Sequence, residues 1–273
     1  MPSAMAWTRH PARPGAPADS LPIVLLHGLS GTRYHWEPAV SGLRDLGDVI
    51  TLDLPGFGAS PAPAAWTLDG ACDAVIEQLD ALGVDRCMLV GHSLGASIGV
   101  LLAARAPERV RALGLISPAG FWGRTFESPA SKRFELAFAV WRRGVLLGAG
   151  NVVKAPPMRV LAFFAMAHRP LASLTRREAE LLVAGAAQGR STVQAREAAI
   201  EADLFDVVAG LEQPVELVWG REDRITPFET ADRVAAAIPD VQTRFLDDIG
   251  HMVMFEARDV VLETVTSLIT RRS

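Results

Sequence analysis

Cysteine is scarce in this chain. Among 273 residues only Cys72 and Cys87 occur, and neither sits in a C-x-x-C pair. That argues against a disulfide framework or a thiolate metal site and leaves two free, buried thiols as the expectation. No His, Cys or Asp cluster has the spacing of metal ligands, so no metal is expected. No apolar run reaches the roughly 18 residues that a membrane span requires. The first twenty residues are rich in Pro and Ala and lack the apolar stretch of a secretory signal. A cytoplasmic protein is the resulting expectation. A surplus of one charge sign is also missing: 27 Lys/Arg stand against 31 Asp/Glu, a net −4, and nothing points to a nucleic-acid partner. No internal repeat is visible. Gly56-Phe57-Gly58 lies in a loop and does not extend to G-x-G-x-x-G at a helix start, so neither a nucleotide site nor any other cofactor is expected.

What remains is an ordinary globular composition, 49% hydrophobic and 21% charged. The length suits one large α/β domain, with or without an insertion. Met5 to Arg9 reads as a short edge strand. Leu21–Leu26 is a continuous apolar run, and further strands read at Asp48–Leu52, Cys87–Val90, Val110–Ser117, Val215–Trp219 and Val241–Leu246. Runs without alternation fit strands covered by helices on both faces. Helical segments lie between them, at about Glu37–Asp45, Thr67–Leu82, Ala96–Arg105, Phe228–Ile238 and Val260–Arg271. The rhythm predicts a doubly wound, mostly parallel sheet. It stops after Ser117. From Pro118 to Asp206 only helical patterns appear, broken by Gly148, Gly150 and Pro156-Pro157. The expected division is a sheet core of residues 1–117 and 207–273 with a helical insertion of 118–206.

Gly91-His92-Ser93-Leu94-Gly95 stands between the strand Cys87–Val90 and a helix. G-x-S-x-G in that setting is a nucleophile elbow. A turn tight enough to expose Ser93 Oγ strains the serine backbone and leaves almost no room for side chains at the two flanking positions. A serine hydroxyl is a weak nucleophile until a base takes its proton, and that base needs a third group to fix its tautomer. Two later strand ends supply candidates. Gly220-Arg221-Glu222-Asp223 follows one strand, and Gly250-His251 follows another. Asp223 lies 130 residues after Ser93, and His251 lies 28 after Asp223. Glu222, one residue earlier, competes for the role of acid. His92 reads as a packed residue beneath the elbow, and His10, His35 and His168 as surface or core residues.

These strings, with His27-Gly28 and Asp53-Leu54-Pro55-Gly56-Phe57-Gly58-Ala59-Ser60, resemble the α/β-hydrolase fold superfamily, in its capped, single-domain esterase-like branch. The resemblance covers almost the whole chain. It implies Ser93 as nucleophile, His251 as base and Asp223 as acid. It also implies an oxyanion hole made by the backbone N–H groups of Leu94 and Leu29, with His27 orienting the second loop. A serine rather than an aspartate at the elbow speaks against the dehalogenase and epoxide hydrolase branches. The elbow residues His92, Leu94 and Ala96 also weaken a C–C bond hydrolase relative to an esterase.

The insertion would then be a cap that encloses an apolar acyl pocket. Phe121 and Trp122, just past the end of a strand, are the candidate substrate contacts. From Ala119 to Asp206 the chain carries twelve Lys/Arg against eight Asp/Glu, which leaves the rest at −8. Ser131 to Arg143 reads as a basic amphipathic helix; a solvated face is favoured over contact with a lipid surface or an acyl carrier. The expected activity is hydrolysis of small to medium apolar esters through an acyl-enzyme. The alternatives are thioester or C–C cleavage, cofactor-free lyase or haloperoxidase chemistry on the same residues, and a ligand-binding module.

Overall fold

A computed structural model describes residues 5–121 and 175–272. Its strands form one sheet: β1 (Trp7–His10), β2 (Ile23–Leu26), β3 (Val49–Leu52), β4 (Cys87–His92), β5 (Val110–Ile116), β6 (Val215–Gly220) and β7 (Val241–Leu246). The order across the sheet is β1-β3-β2-β4-β5-β6-β7. β1 runs antiparallel to β3, and every other pair is parallel. The inner strands β2 to β6 are buried almost throughout on both sides for a simple reason. Alternate residues point to opposite faces, and both faces are covered. Val24, Leu26, Cys87 and Leu89 join one core, while Ile23, Leu25, Met88 and Val90 join the other.

The first core is closed by α2 (Leu68–Ala81) and α3 (Leu94–Arg105); the second by α1 (Glu37–Leu43) and α9 (Val260–Arg272). α3 is apolar nearly all round and buried along most of its length, as befits a helix with neighbours on several sides. α2 starts at Thr67, whose hydroxyl accepts from Gly70 N at 3.0 Å. It ends before Gly83, at φ +66°. Cys72 on α2 and Cys87 on β4 are free and buried, and burial pushes their thiols up to about 11 and about 12.

Two helices differ from expectation. α1 stops at Leu43, because Asp45 N turns back to Gly42 O at 3.1 Å, a tighter turn than an α-helix allows. The segment from Phe228 splits into a 3-10 helix (Phe228–Thr230) and α7 (Ala231–Ala237). Pro239 holds Ile238 extended, at ψ +123°, and ends α7. The described part of the insertion is helical: α4 (Arg176–Gln188), α5 (Thr192–Glu201) and α6 (Phe205–Ala209), the last crossing residue 206. Trp122 and the basic stretch Ser131–Arg143 lie outside the described residues, as does His168. Among the described residues no helix is long and apolar enough to cross a membrane.

Candidate active site

The chain passes from β2 to β3 on one side and then crosses back to lay β4 on the other side of β2. Loops leaving β2 and β4 therefore diverge, and the crevice between them is where open parallel sheets bind ligands. His27-Gly28 follows β2, and Ser93 follows β4. β5, β6 and β7, which run parallel to β4, bring Ser117, Asp223 and His251 to the same edge.

Ser93 has φ +52° and ψ −116°, a conformation that a side chain rarely tolerates. It is held by its own N–H, which donates to Ile116 O at 2.9 Å. The flanking glycines are required by contact. A Cβ at Gly91 would lie 2.4 Å from Gly95 O, and one at Gly95 would lie 2.3 Å from Leu26 O. Leu94 opens α3, so its N–H has no intrahelical acceptor and sits at the positive end of the helix dipole.

His251 and Asp223 meet. His251 Nδ1 donates to Asp223 Oδ2 at 2.8 Å, which leaves Nε2 as the free lone pair. Both side chains are buried. Asp223 is held from the other side by Ile225 N at 2.8 Å and Thr226 N at 2.9 Å on Oδ1, and by Thr226 Oγ1 at 2.7 Å on Oδ2. Glu222 is exposed and contributes its backbone N–H to Ile249 O at 3.0 Å. Thr226 has no assigned role in the sequence reading. Its signal was the spacing Asp-x-x-Thr, at which an Asp side chain turns back on the N–H groups two and three residues ahead.

The second loop is clamped by His27. Its Nε2 accepts from Leu54 N at 3.0 Å, so Nδ1 carries the proton and donates to Gly28 O at 2.7 Å. Burial holds this imidazole below its ordinary pKa, hence neutral. The Asp53-to-Ser60 string has a matching job. Asp53 is fully buried and accepts from Arg33 N at 2.6 Å, from the Arg33 guanidinium and from Ala59 N at 2.9 Å. It thus ties the β3 loop to the segment after Leu29, which is itself half-buried against the first core. His92 packs against His251, with ring centroids 4.6 Å apart.

The inserted helices reach this edge. Glu178 of α4 pairs with Arg258 at 2.7 Å, Ser30 Oγ lies 3.4 Å from Thr192 Oγ1 of α5, and Arg190 N donates to Gly56 O at 2.8 Å. Phe121 is fully buried, its ring edge-on to Phe205 of α6 at 5.4 Å. Among the described residues no cluster of potential metal ligands occurs.

The strained Ser93 that follows central strand β4 and the buried Asp223–His251 pair lie at one edge of the sheet. The chain belongs to the alpha/beta hydrolase fold family, whose sequence profile matches residues 22–258, and it is an enzyme. A relative from Klebsiella pneumoniae, "Putative carbamate hydrolase RutD", is 33% identical over 87% of this chain and 85% of its own length. The uncharacterized hydrolase YugF of Bacillus subtilis is 27% identical over 90% and 89%. Among solved structures, the enol-lactonase of Burkholderia xenovorans superposes with a TM-score of 0.76 over 97% of each chain, at 20% identity, a likeness of fold.

Proposed function

We propose that the protein is a serine hydrolase of carboxylic esters with small to medium apolar acyl groups. Ser93 Oγ passes its proton to His251 Nε2 and bonds to the ester carbonyl carbon. The carbonyl electron pair moves onto oxygen, where the N–H groups of Leu94 and Leu29 receive it, together a contribution of several kcal/mol. Collapse breaks the C–O bond, and the leaving alkoxide takes the proton from His251. Water then repeats the sequence on the acyl-enzyme. Asp223 fixes the histidine tautomer and stabilises the imidazolium.

The observation that carries this reading is the 2.8 Å bond from His251 Nδ1 to buried Asp223. It leaves Nε2 basic on the sheet edge that also holds the elbow serine. A relative that bears the name of a putative carbamate hydrolase is in keeping with cleavage of an acyl–heteroatom bond. Residues 118–206 act as the cap in this proposal, with Phe121 supporting the pocket wall from behind. The setting is cytoplasmic, where two buried free thiols stay reduced.

A fluorophosphonate probe should label Ser93, and Ser93→Ala should abolish both labelling and ester turnover while the fold persists. Label on any other serine overturns the assignment. Across p-nitrophenyl esters, activity should climb from acetyl toward butyryl or hexanoyl. Each buried CH₂ is worth up to about 0.8 kcal/mol, nearly fourfold. A series that peaks at acetyl removes the apolar pocket from the proposal.

A further inference from the structure

His251 sits on a loop after β7, and a ring on a loop is only as well aimed as the backbone that carries it. α8 (Val253–Glu256) begins one residue beyond Met252. Its last residue, Glu256, turns its carboxylate back over the loop. Oε1 accepts from Met252 N at 3.1 Å and from Gly250 N at 3.2 Å; Oε2 accepts from Gly250 N at 3.1 Å. The amides on either side of His251 therefore converge on one carboxylate.

The carbonyl between them is held from the opposite direction. His92 Nε2 lies 2.9 Å from His251 O and donates to it. Nδ1 of His92 must then be the bare lone pair, and it is buried with no partner among the described residues. Burial, reinforced by the adjacent His251 ring, keeps the His92 imidazole far below its ordinary pKa. His92 thus stays a neutral donor, and it adds no positive charge to oppose protonation of His251.

We propose that Glu256 and His92 form a two-sided clamp on the backbone of the His251 loop and act as positioning residues for the general base. The inference rests on the reading of His251 as that base. Helix capping alone explains the bond to Met252 N, the residue before α8. It does not explain the reach to Gly250, nor the His92 bond to the residue between them. A small displacement of the base is costly, since a misplacement of about 1 Å can cost about 10²-fold in rate.

The test pairs a broken contact with a conservative rescue at each position. Glu256→Ala should lower kcat on p-nitrophenyl butyrate by about 10²-fold with little change in KM. Glu256→Gln, whose amide oxygen still accepts both N–H groups, should recover most of it. His92→Phe should lose about tenfold, and His92→Gln, which keeps a donor near Nε2, should regain activity. The substrate-free readout is the downfield proton resonance of the His251–Asp223 hydrogen bond. It should be sharp in the wild type and both Gln variants, and broadened or lost in Glu256→Ala and His92→Phe. Folded Ala and Phe variants with an unchanged resonance and wild-type kcat overturn the clamp. If Glu256→Ala does not fold, the His92 pair decides, and equal kcat and resonance in its two variants overturn it. A wild type that takes no phosphonate label sinks the hydrolase reading instead, and the resonance still reports on the clamp.

Discussion

Four donors converge on the Asp223 carboxylate: two backbone N–H groups, the Thr226 hydroxyl and His251 Nδ1. Each has a separable consequence. Asp223→Asn would turn an N–H₂ toward Nδ1 and favour the wrong tautomer; by analogy with the protease triad, kcat should fall by about 10³–10⁴. Glu222→Gln should lose less than about tenfold, because that side chain is exposed. Thr226→Val removes the 2.7 Å hydroxyl contact but keeps the backbone donor, and should cost on the order of tenfold in kcat. Steady-state rates on one p-nitrophenyl ester rank the three. A Glu222 variant worse than the Asp223 variant would reverse the assignment.

The strand–turn–helix unit of β4 and α3 works because two backbones touch where side chains ordinarily stand. Gly95→Ala would push a Cβ to 2.3 Å from Leu26 O on β2, a contact with rigid backbone that cannot yield. Gly83→Ala, at the end of α2, meets nothing within 4 Å and strains only its own φ of +66°. The first should cost more than about 3 kcal/mol, the second about 1–2 kcal/mol. Denaturant unfolding of both variants checks the contrast, and equal losses would mean that α3 can shift away from β2. α3 is buried along most of its length because it packs against β4, β5, α2 and α6.

Across the whole molecule, burial has collected neutral histidines. His27, His35 and His92 all have lowered pKa values, and His35 is pushed down to about 3, by burial first and then by the nearby His27 ring. The unfolded chain binds protons at these sites below about pH 6.5, and the folded chain does not. Stability is therefore full above that pH and is lost as pH falls, for His35 down to about 3. His35, pushed down to about 3, contributes a slope of about 1.4 kcal/mol per pH unit over most of that range. Glu178 adds to the loss at lower pH. Its burial raises the carboxyl pKa, but the Arg258 and Thr175 hydrogen bonds outweigh this and leave it below the ordinary value. The stability of Glu178 is thus present above the unfolded carboxylate pKa and lost as pH falls through the folded one. Protonating Glu178 also loosens α4 from the Arg258 segment. Unfolding free energy measured between pH 4 and 6.5 should fall steeply, and His35→Asn should flatten the slope by one proton. An unchanged slope in that variant would show His35 to be protonated in the folded state.

How much of this was legible in the chain divides by the range of the forces involved. Runs such as Leu89-Val90 and Leu217-Val218 announce two-faced burial locally, and Gly91-x-Ser93-x-Gly95 after such a run announces the turn. The fold class and the sheet-edge positions of Ser93, Asp223 and His251 were readable for that reason. Local pattern did not reveal that Arg33 would brace Asp53 or that His92 would hold the His251 loop. Nor did it show that Phe121 would be sealed against Phe205. These depend on crossovers and strand register. His92 reaches His251 O across 159 residues only because β4, β5, β6 and β7 lie side by side and end at one edge. Hydrophobic period and turn chemistry act over a few residues and are written in order along the chain. A hydrogen bond between distant loops exists only after the sheet has closed the distance, so its partners carry no mark of it in the sequence.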